Sequence, residues 1–136
     1  MTPAVARKGL ADTSVFLASE SGRALNFDQL PDELSVSVIT LAELEAGVLA
    51  ARSVADRAAR LQTLERVAAL EPLTVDAAAA AAWARLRVEI HQARRRVNVN
   101  DLWIAAVALA NDLPVVSQDD DFTALSELGL LTVIKL

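Results

Sequence analysis

The stretch Gly9-Leu-Ala-Asp-Thr-Ser-Val-Phe-Leu17 predicts a strand followed by a helix, the repeating unit of an α/β fold. Residues 9–12 form a short, mostly apolar segment, which is typical of a buried strand. Asp12, Thr13 and Ser14 carry side chains that favour helix N-termini, and apolar residues follow them. In α/β proteins, ligands bind where such strands end and turn into helices.

Strands and helices continue to alternate along the chain. Further strands are predicted over residues 34–39, 113–117 and 131–136, with a short strand or connector over 72–75. Helices are predicted over residues 40–51, 55–69, 77–96, 101–111 and 120–128, with Thr40, Asp76 and Asn100 at helix starts. This order predicts one α/β domain over residues 1–136, with a mainly parallel central sheet flanked by helices.

Composition excludes several classes of protein. The 136 residues are 54% hydrophobic and include no cysteine, which excludes disulfides, thiolate nucleophiles and iron–sulfur sites. A formal net charge of −5 argues against a general nucleic-acid coat protein. No apolar window approaches the roughly 20 residues of a membrane span, and Met1–Leu10 lacks the apolar region of an export signal. We therefore expect a cytoplasmic protein without a membrane segment.

Carboxylates recur where the predicted strands or loops turn into helices. Asp12 ends the first strand, and Glu43 lies in the first turn of the helix after the second strand. Asp101 begins an apolar helix, and residues 119–121 follow the third strand. If these junctions share one edge, the acids repel each other and at least one pKa rises. Mg²⁺ or Mn²⁺ relieves such repulsion and can activate water for phosphodiester hydrolysis. The pattern therefore indicates a metal-dependent site.

Each acid also has a purely structural interpretation. Glu43 has the spacing of a capping box with Thr40, and Asp101 could complement the dipole of its helix. At least one acid of residues 119–121 could be a solvated loop residue or a helix cap. Asp12 is the hardest to explain in this way, because a buried aspartate rarely lacks a partner. The combination of four junctions favours a functional site.

Four segments that contain these acids resemble the motifs of PIN-domain nucleases. They are Leu10-Ala-Asp-Thr-Ser-Val-Phe16, Val38-Ile-Thr-Leu-Ala-Glu-Leu-Glu-Ala-Gly47, Val99-Asn-Asp-Leu-Trp-Ile-Ala-Ala106 and Val116-Ser-Gln-Asp-Asp-Asp-Phe122. More narrowly, the chain resembles a VapC-type toxin of a type II toxin–antitoxin system, from about residue 10 to its last residue. The resemblance implies a PIN-like three-layer fold. It also implies an Mg²⁺- or Mn²⁺-dependent endoribonuclease that cuts structured RNA, such as tRNA or rRNA, and inhibits translation.

The resemblance also implies catalytic and metal-binding residues. Asp12, Glu43, Asp101 and Asp119 match the acidic quartet of the family, and Asp12 and Asp101 match the positions most directly on the metal. We expect Asp12, Asp101 and Asp119 to hold one or two ions, while Glu43 positions the metal or its water.

Supporting roles fall on neighbours of the quartet. Thr13 or Ser14 matches the small hydroxyl residue beside the first acid, and Asp121 matches a further acid of many members. The last loop departs from the commonest pattern at Gln118 and Asp120. Asp121 could therefore share or replace the role of Asp119.

Basic residues near the predicted site suggest where RNA binds. Arg94, Arg95 and Arg96 end the long predicted helix shortly before Asp101, and guanidinium groups suit phosphate contacts. Alternatively, the three arginines only complement the helix dipole. The resemblance further implies a homodimer and a cognate VapB-like antitoxin that occupies a groove. The helix over 55–69 and the alanine run 77–82 are candidate contact surfaces.

Two rival functions remain. A haloacid-dehalogenase-like phosphatase also has an aspartate at the end of its first strand, but it needs a second one two residues later, where this chain has Ser14. It also needs a lysine before its last acids, and the chain has only Lys8 and Lys135. The other rival is a catalytically silent PIN-fold binding module.

Overall fold

The computed structural model describes residues 7–136, which contain four short strands and six α-helices, with four successive helices between the second and third strands. The strands are β1 (Lys8–Ala11), β2 (Glu33–Ser35), β3 (Val115–Ser117) and β4 (Val133–Lys135). The helices are α1 (Thr13–Glu20), α2 (Val38–Leu49), α3 (Val54–Ala68), α4 (Ala77–Gln92), α5 (Val99–Ala110) and α6 (Thr123–Glu127). The predicted lack of an export signal falls mostly on residues 1–6, which lie outside the described residues.

The four strands form one sheet in the order β2-β1-β3-β4, and every neighbouring pair is parallel. β1 and β3 lie side by side in the middle, with Leu10 opposite Val115 and Ala11 opposite Val116. All four strands therefore end at the same edge of the sheet. This confirms the predicted parallel sheet and brings the residues that follow Ala11 next to those that follow Val116.

Helices cover both faces of the sheet, because successive strand side chains point to opposite sides. Leu10 and Val115 pack with helices α4 and α5 in the largest core cluster. Ala11 and Val116 pack with Val15 of α1 on the other face. Helix α5 is almost entirely buried from Ile104 to Ala108, as its apolar sequence predicts. The result is the expected three-layer α/β arrangement.

The start of α2 differs from the prediction. β2 ends at Ser35 and α2 begins at Val38 rather than Thr40, because Ser37 is the N-cap and its Oγ accepts a hydrogen bond from the Thr40 N–H. The capping-box interpretation of Glu43 is therefore wrong, and so is its placement in the first helical turn. Glu43 lies in the second turn, where its side chain satisfies no backbone donor of the helix start.

The end of α4 and the start of α5 also differ from the prediction. α4 ends at Gln92 rather than Arg96, since Arg94 adopts a left-handed conformation with φ 56° and the Arg95 N–H closes the helix on the Ile90 carbonyl. α5 begins at Val99 with Asn98 as its N-cap, which places Asp101 at the third helical position.

Among the helices of residues 7–136, none has the length and apolar character needed to cross a membrane.

A substitution at Gly9 tests the close packing between β1 and β3. A Cβ atom at Gly9 would lie 2.5 Å from Val116 Cγ2 and 3.1 Å from Pro31 Cγ. Because Val116 is fully buried and stiff at χ1, Gly9→Ala should lower the free energy of unfolding by about 1–3 kcal/mol. Gly47→Ala is the matched control. A Cβ atom there meets nothing within 4 Å, and alanine favours a helix, so denaturant unfolding should show a gain of about 0.5–1 kcal/mol. Equal stability of both variants would contradict the packing argument.

Candidate active site

Asp12 lies at the centre of the edge where the parallel strands end. Its backbone N–H bonds to the Val116 carbonyl at 2.9 Å, which continues the pairing of β1 with β3. Only 3% of the residue is exposed, and two hydroxyl groups donate to its carboxylate. Ser14 Oγ is 2.6 Å from Oδ1, and Ser117 Oγ is 3.1 Å from Oδ2. The carboxylate is therefore held between α1 and β3 and does not cap the helix that it precedes.

Burial raises the pKa of Asp12 to about 6. The hydrogen bond from Ser14 opposes this rise, while the negative charge of Asp119 adds to it. The Ser117 bond and the charge of Asp121 act in the same two directions, less strongly. Asp12 is thus a buried acid whose ionised form is only partly compensated by its protein partners.

Asp101 is the acid on which the other charges converge. It lies in the first turn of α5 and is partly buried, and burial is the largest cause that raises its pKa to about 7. The charges of Asp121, Asp12, Glu43 and Asp119 raise it further. The structure therefore gathers five carboxylates from separate parts of the chain, which we call the acid cluster: Asp12, Glu43, Asp101, Asp119 and Asp121.

Glu43 joins the acid cluster from α2 through a hydrogen bond with α1. Thr13 Oγ1 donates to Glu43 Oε1 at 2.9 Å and lies 3.0 Å from the hydroxyl of the fully buried Thr40. The sequence left open whether Thr13 or Ser14 is the hydroxyl residue that supports the acids. In the structure both do so, since Ser14 holds Asp12 and Thr13 holds Glu43.

The three carboxylates of the acidic loop after β3 have different surroundings. Asp119 Oδ1 lies 3.1 Å from Ser117 Oγ and accepts a hydrogen bond from the Asp121 N–H at the same distance. The pKa of Asp121 is raised, first by partial burial and then by the charge of Asp119. Asp120 instead pairs with Lys135 at the exposed end of β4. Asp119 and Asp121 thus belong to the acid cluster. Asp120 adds to the raised pKa of Asp121 but is not among the charges that raise the pKa of Asp12 or Asp101, so we leave it outside the cluster.

Ser117 is a site residue that the sequence reasoning missed. It is fully buried, and its hydroxyl lies between the carboxylates of Asp12 and Asp119 at 3.1 Å from each. Its Oγ also accepts a hydrogen bond from the Asp119 N–H. Because a hydroxyl has a single proton, Ser117 donates to one of the two carboxylates at a time. A small polar residue at the end of an apolar strand was the available signal. Its meaning depends on β3 lying beside β1, which the sequence does not state.

The three predicted RNA-binding arginines lie apart from the acid cluster's hydrogen-bond network. Arg94, Arg95 and Arg96 follow α4 and are exposed, and the Arg95 guanidinium pairs with Glu127 at 2.9 Å. Within residues 7–136, no hydrogen bond or ion pair joins them to the acid cluster. A different arginine reaches the acidic loop, because Arg23 donates to the Gln118 side chain at 3.2 Å.

The chemistry of the acid cluster fits a hard divalent cation. Its donors are all carboxylate oxygens, which suit Mg²⁺ and Mn²⁺. Their mutual repulsion contributes to the raised pKa values of Asp12 and Asp101, and a cation would relieve it. Among the described residues, no three histidine, aspartate or glutamate side chains are placed so that they could hold a metal ion as they stand. The cluster fits the ion by donor type and charge, not by the present geometry of its side chains.

The raised pKa values predict how stability depends on pH in metal-free protein. Asp12 and Asp101 bind protons more tightly in the folded state than at their ordinary value of 3.8. The free energy of unfolding should therefore fall as pH rises from about 4 through about 7. Asp101→Asn should flatten this fall and raise stability above pH 8 by about 1–2 kcal/mol, with allowance for solvent screening. Urea unfolding with a chelator measures it, and an unchanged pH profile would contradict the repulsion.

Comparison with known proteins identifies the family. The family model of the PIN domain matches residues 10–128. The chain is 53% identical to Ribonuclease VapC5 of Mycobacterium tuberculosis, with 99% of this chain and 98% of that protein covered. It is 42% identical to Ribonuclease VapC4 of the same organism, with 93% and 98% covered.

Solved structures agree with this family. The crystal structure of VapBC-5, a member of the VapBC family of toxin-antitoxin systems from Mycobacterium tuberculosis, matches with a TM-score of 0.88 and 50% identity. The match covers 95% of this chain and 98% of that one. VapBC2 from Rickettsia felis, bound to a promoter DNA fragment, matches with a TM-score of 0.78 over 95% and 98% of the two chains. At 20% identity it supports the fold alone. The chain belongs to the PIN-domain family and is of the VapC type.

Proposed function

We propose that this chain is a metal-dependent endoribonuclease and the toxin of a toxin–antitoxin pair. It cuts structured RNA such as tRNA or rRNA and thereby inhibits translation, until a cognate VapB-like antitoxin neutralises it. The observation that carries the proposal is the gathering of five carboxylates, from separate parts of the chain, at the edge where the parallel strands end. Ser117 Oγ lies 3.1 Å from both Asp12 and Asp119, Thr13 holds Glu43, and the charges of the other four acids raise the pKa of Asp101. Carboxylates gathered in this way suit a divalent ion that activates water for hydrolysis of a phosphodiester. The names of the relatives, ribonucleases VapC5 and VapC4, support the same activity.

The proposed mechanism assigns a task to each acid. Asp12, Asp101 and Asp119 hold one or two Mg²⁺ or Mn²⁺ ions, and Glu43 positions the ion or its water. A bound ion supplies an activated water and offsets the charge that develops on the phosphate. Since its pKa is about 7, Asp101 keeps its proton part of the time at neutral pH in the metal-free protein, and an ion bound there would favour the ionised carboxylate.

Hydroxyl groups orient these acids. Ser14 and Ser117 each hold one oxygen of Asp12, which restricts the rotation of that carboxylate. Thr13 holds Glu43 towards the same edge. Hydrogen bonds that orient ligating carboxylates commonly change metal affinity or activity by 10–100-fold when they are lost. These three side chains are therefore positioning residues in the proposal.

The proposal includes two protein partners. VapBC-5, which this chain resembles across nearly its whole length, belongs to a family of toxin–antitoxin systems, and this supports an antitoxin for this chain. A homodimer is the other expected partner, and the exposed alanines 77, 78, 80 and 81 of α4 remain a candidate contact surface.

The rival functions fare differently. The match to the PIN-domain family argues against the phosphatase interpretation. Phosphatase chemistry needs a second aspartate at position 14, where this chain has a serine that donates a hydrogen bond to Asp12. A catalytically silent binding module would keep the fold without hydrolysis, so only a measurement of cleavage separates it from the nuclease.

Asp101→Asn tests the acid cluster. The substitution removes one ligand and one charge, so RNA cleavage should fall by at least about a hundredfold, since ligand loss exceeds the effect of losing an orienting hydrogen bond. Asp120→Asn is the matched control, because it removes the same charge from an acid that pairs with Lys135. We expect it to retain activity within about twofold, as for a surface pair. Cleavage ends are mapped in total RNA after brief induction, and parental cleavage by Asp101→Asn would exclude the proposed site.

Ser117→Ala and a chelator test the supporting parts of the mechanism. Without its hydroxyl, Asp12 and Asp119 lose their shared donor, so cleavage should fall by about 10–100-fold while the protein stays folded. EDTA should stop cleavage by the unaltered protein, and added Mg²⁺ or Mn²⁺ should restore it. Cleavage that persists in EDTA would remove the metal from the proposal.

Asp119→Asn and Asp121→Asn decide which acid of the loop is the fourth member of the quartet. Asp119 accepts bonds from Ser117 and from the Asp121 backbone, so its substitution should have the larger effect on cleavage. A larger loss with Asp121→Asn would reverse the assignment.

A further inference from the structure

A cavity of about 470 Å³ opens beside the acid cluster, between α1, α2 and α3. Its lining includes Thr13 and Glu43, which belong to the proposed active site, together with Arg23 and Arg60. Its volume falls within the range of roughly 300–1,000 Å³ that ligand sites occupy. The cavity therefore places two cations next to the acids in a chain whose net charge is negative.

The two arginines keep free donors in this cavity. Arg60 is partly buried, and its Nη1 donates to the Gly47 carbonyl at 2.7 Å, which fixes the guanidinium and leaves its other N–H groups available. Arg23 donates one N–H to Gln118, beside Asp119. Neither arginine forms an ion pair with a carboxylate in residues 7–136. Two carboxylates, those of Glu20 and Glu43, also line the cavity, and the Thr63 hydroxyl donates a hydrogen bond to Glu20.

Gly47 keeps the cavity open. It lies in the interior of α2, where glycine costs about 0.5–1 kcal/mol relative to alanine. Its conformation does not require glycine, and a Cβ atom would meet nothing within 4 Å. The residue lines the cavity, so its effect is the space that a larger side chain would occupy.

We propose that Arg23 and Arg60 bind a backbone phosphate of the RNA next to the one that is cut, in the cavity beside Glu43. This subsite rests on the proposed nuclease function. Guanidinium groups bind phosphate oxygens through paired N–H donors. The subsite offsets the repulsion between the acid cluster and the RNA backbone, and it sets the direction in which the strand crosses the acids. It replaces Arg94, Arg95 and Arg96 as the principal phosphate contacts.

Salt dependence of RNA binding tests the subsite directly. Labelled bulk tRNA is titrated in EDTA with protein in the Asp101→Asn background, over a series of KCl concentrations. Each lost phosphate contact lowers the slope of log Kd against log salt by about 0.7–0.9. Arg60→Gln and Arg23→Gln should each weaken binding several-fold and lower the slope by that amount, while Arg60→Lys keeps the slope. Arg94→Gln is the control outside the cavity and should leave the slope unchanged.

Gly47→Leu tests the cavity without a change of charge. Leucine favours the helix and fills the space, so the variant should fold and yet bind tRNA several-fold more weakly. Unchanged slopes in both arginine variants together with parental binding by Gly47→Leu would overturn the subsite and leave the cavity to a segment of a partner protein. A lower slope in Arg94→Gln alone would instead assign the phosphate contacts to the arginines after α4. Failure of the nuclease itself would show separately, as RNA that the unaltered protein leaves intact.

Discussion

The acid cluster depends on the buried carboxylate of Asp12. It sits at the end of a central strand, where water is nearly excluded and its ionised form is costly. Ser14 and Ser117 compensate part of that cost, and the neighbouring acids add to it. An arrangement that is unfavourable for the fold and persists at one edge of the sheet is typical of a functional site.

The parallel sheet turns this local feature into a site. Because β1 and β3 are neighbours and run in the same direction, the acidic loop after β3 lies beside Asp12. α2 and α5 then bring Glu43 and Asp101 to the same edge from opposite sides of the sheet. The core clusters on the two faces hold these helices, so the carboxylates approach one another despite their repulsion. Packing energy thus keeps together carboxylates that repel one another.

The same edge is asymmetric in charge. The acid cluster has the charge and oxygen donors that suit a divalent cation, whereas Arg23 and Arg60 line the adjacent cavity and suit the phosphates of a polyanion. A negative net charge is therefore compatible with RNA as a substrate, since the cations that matter are local. Asp120 likewise shows that net charge and local charge differ. It contributes to the negative net charge, but its carboxylate pairs with Lys135 rather than with the acid cluster.

The order of the elements and the buried character of α5 follow from the amino-acid sequence alone, because strand and helix periodicity and the residues at element ends are local properties. The prediction was less accurate where two local signals competed. Ser37 rather than Thr40 is the cap of α2, and the left-handed turn at Arg94 ends α4 early. Three features required the folded chain: the contact of Ser117 with Asp12 across 105 residues, the pairing of Asp120 with Lys135, and the position of Arg23 and Arg60 beside the acids. Those contacts follow from which strands and helices become neighbours, and that choice minimises the free energy of the whole core rather than of any one segment.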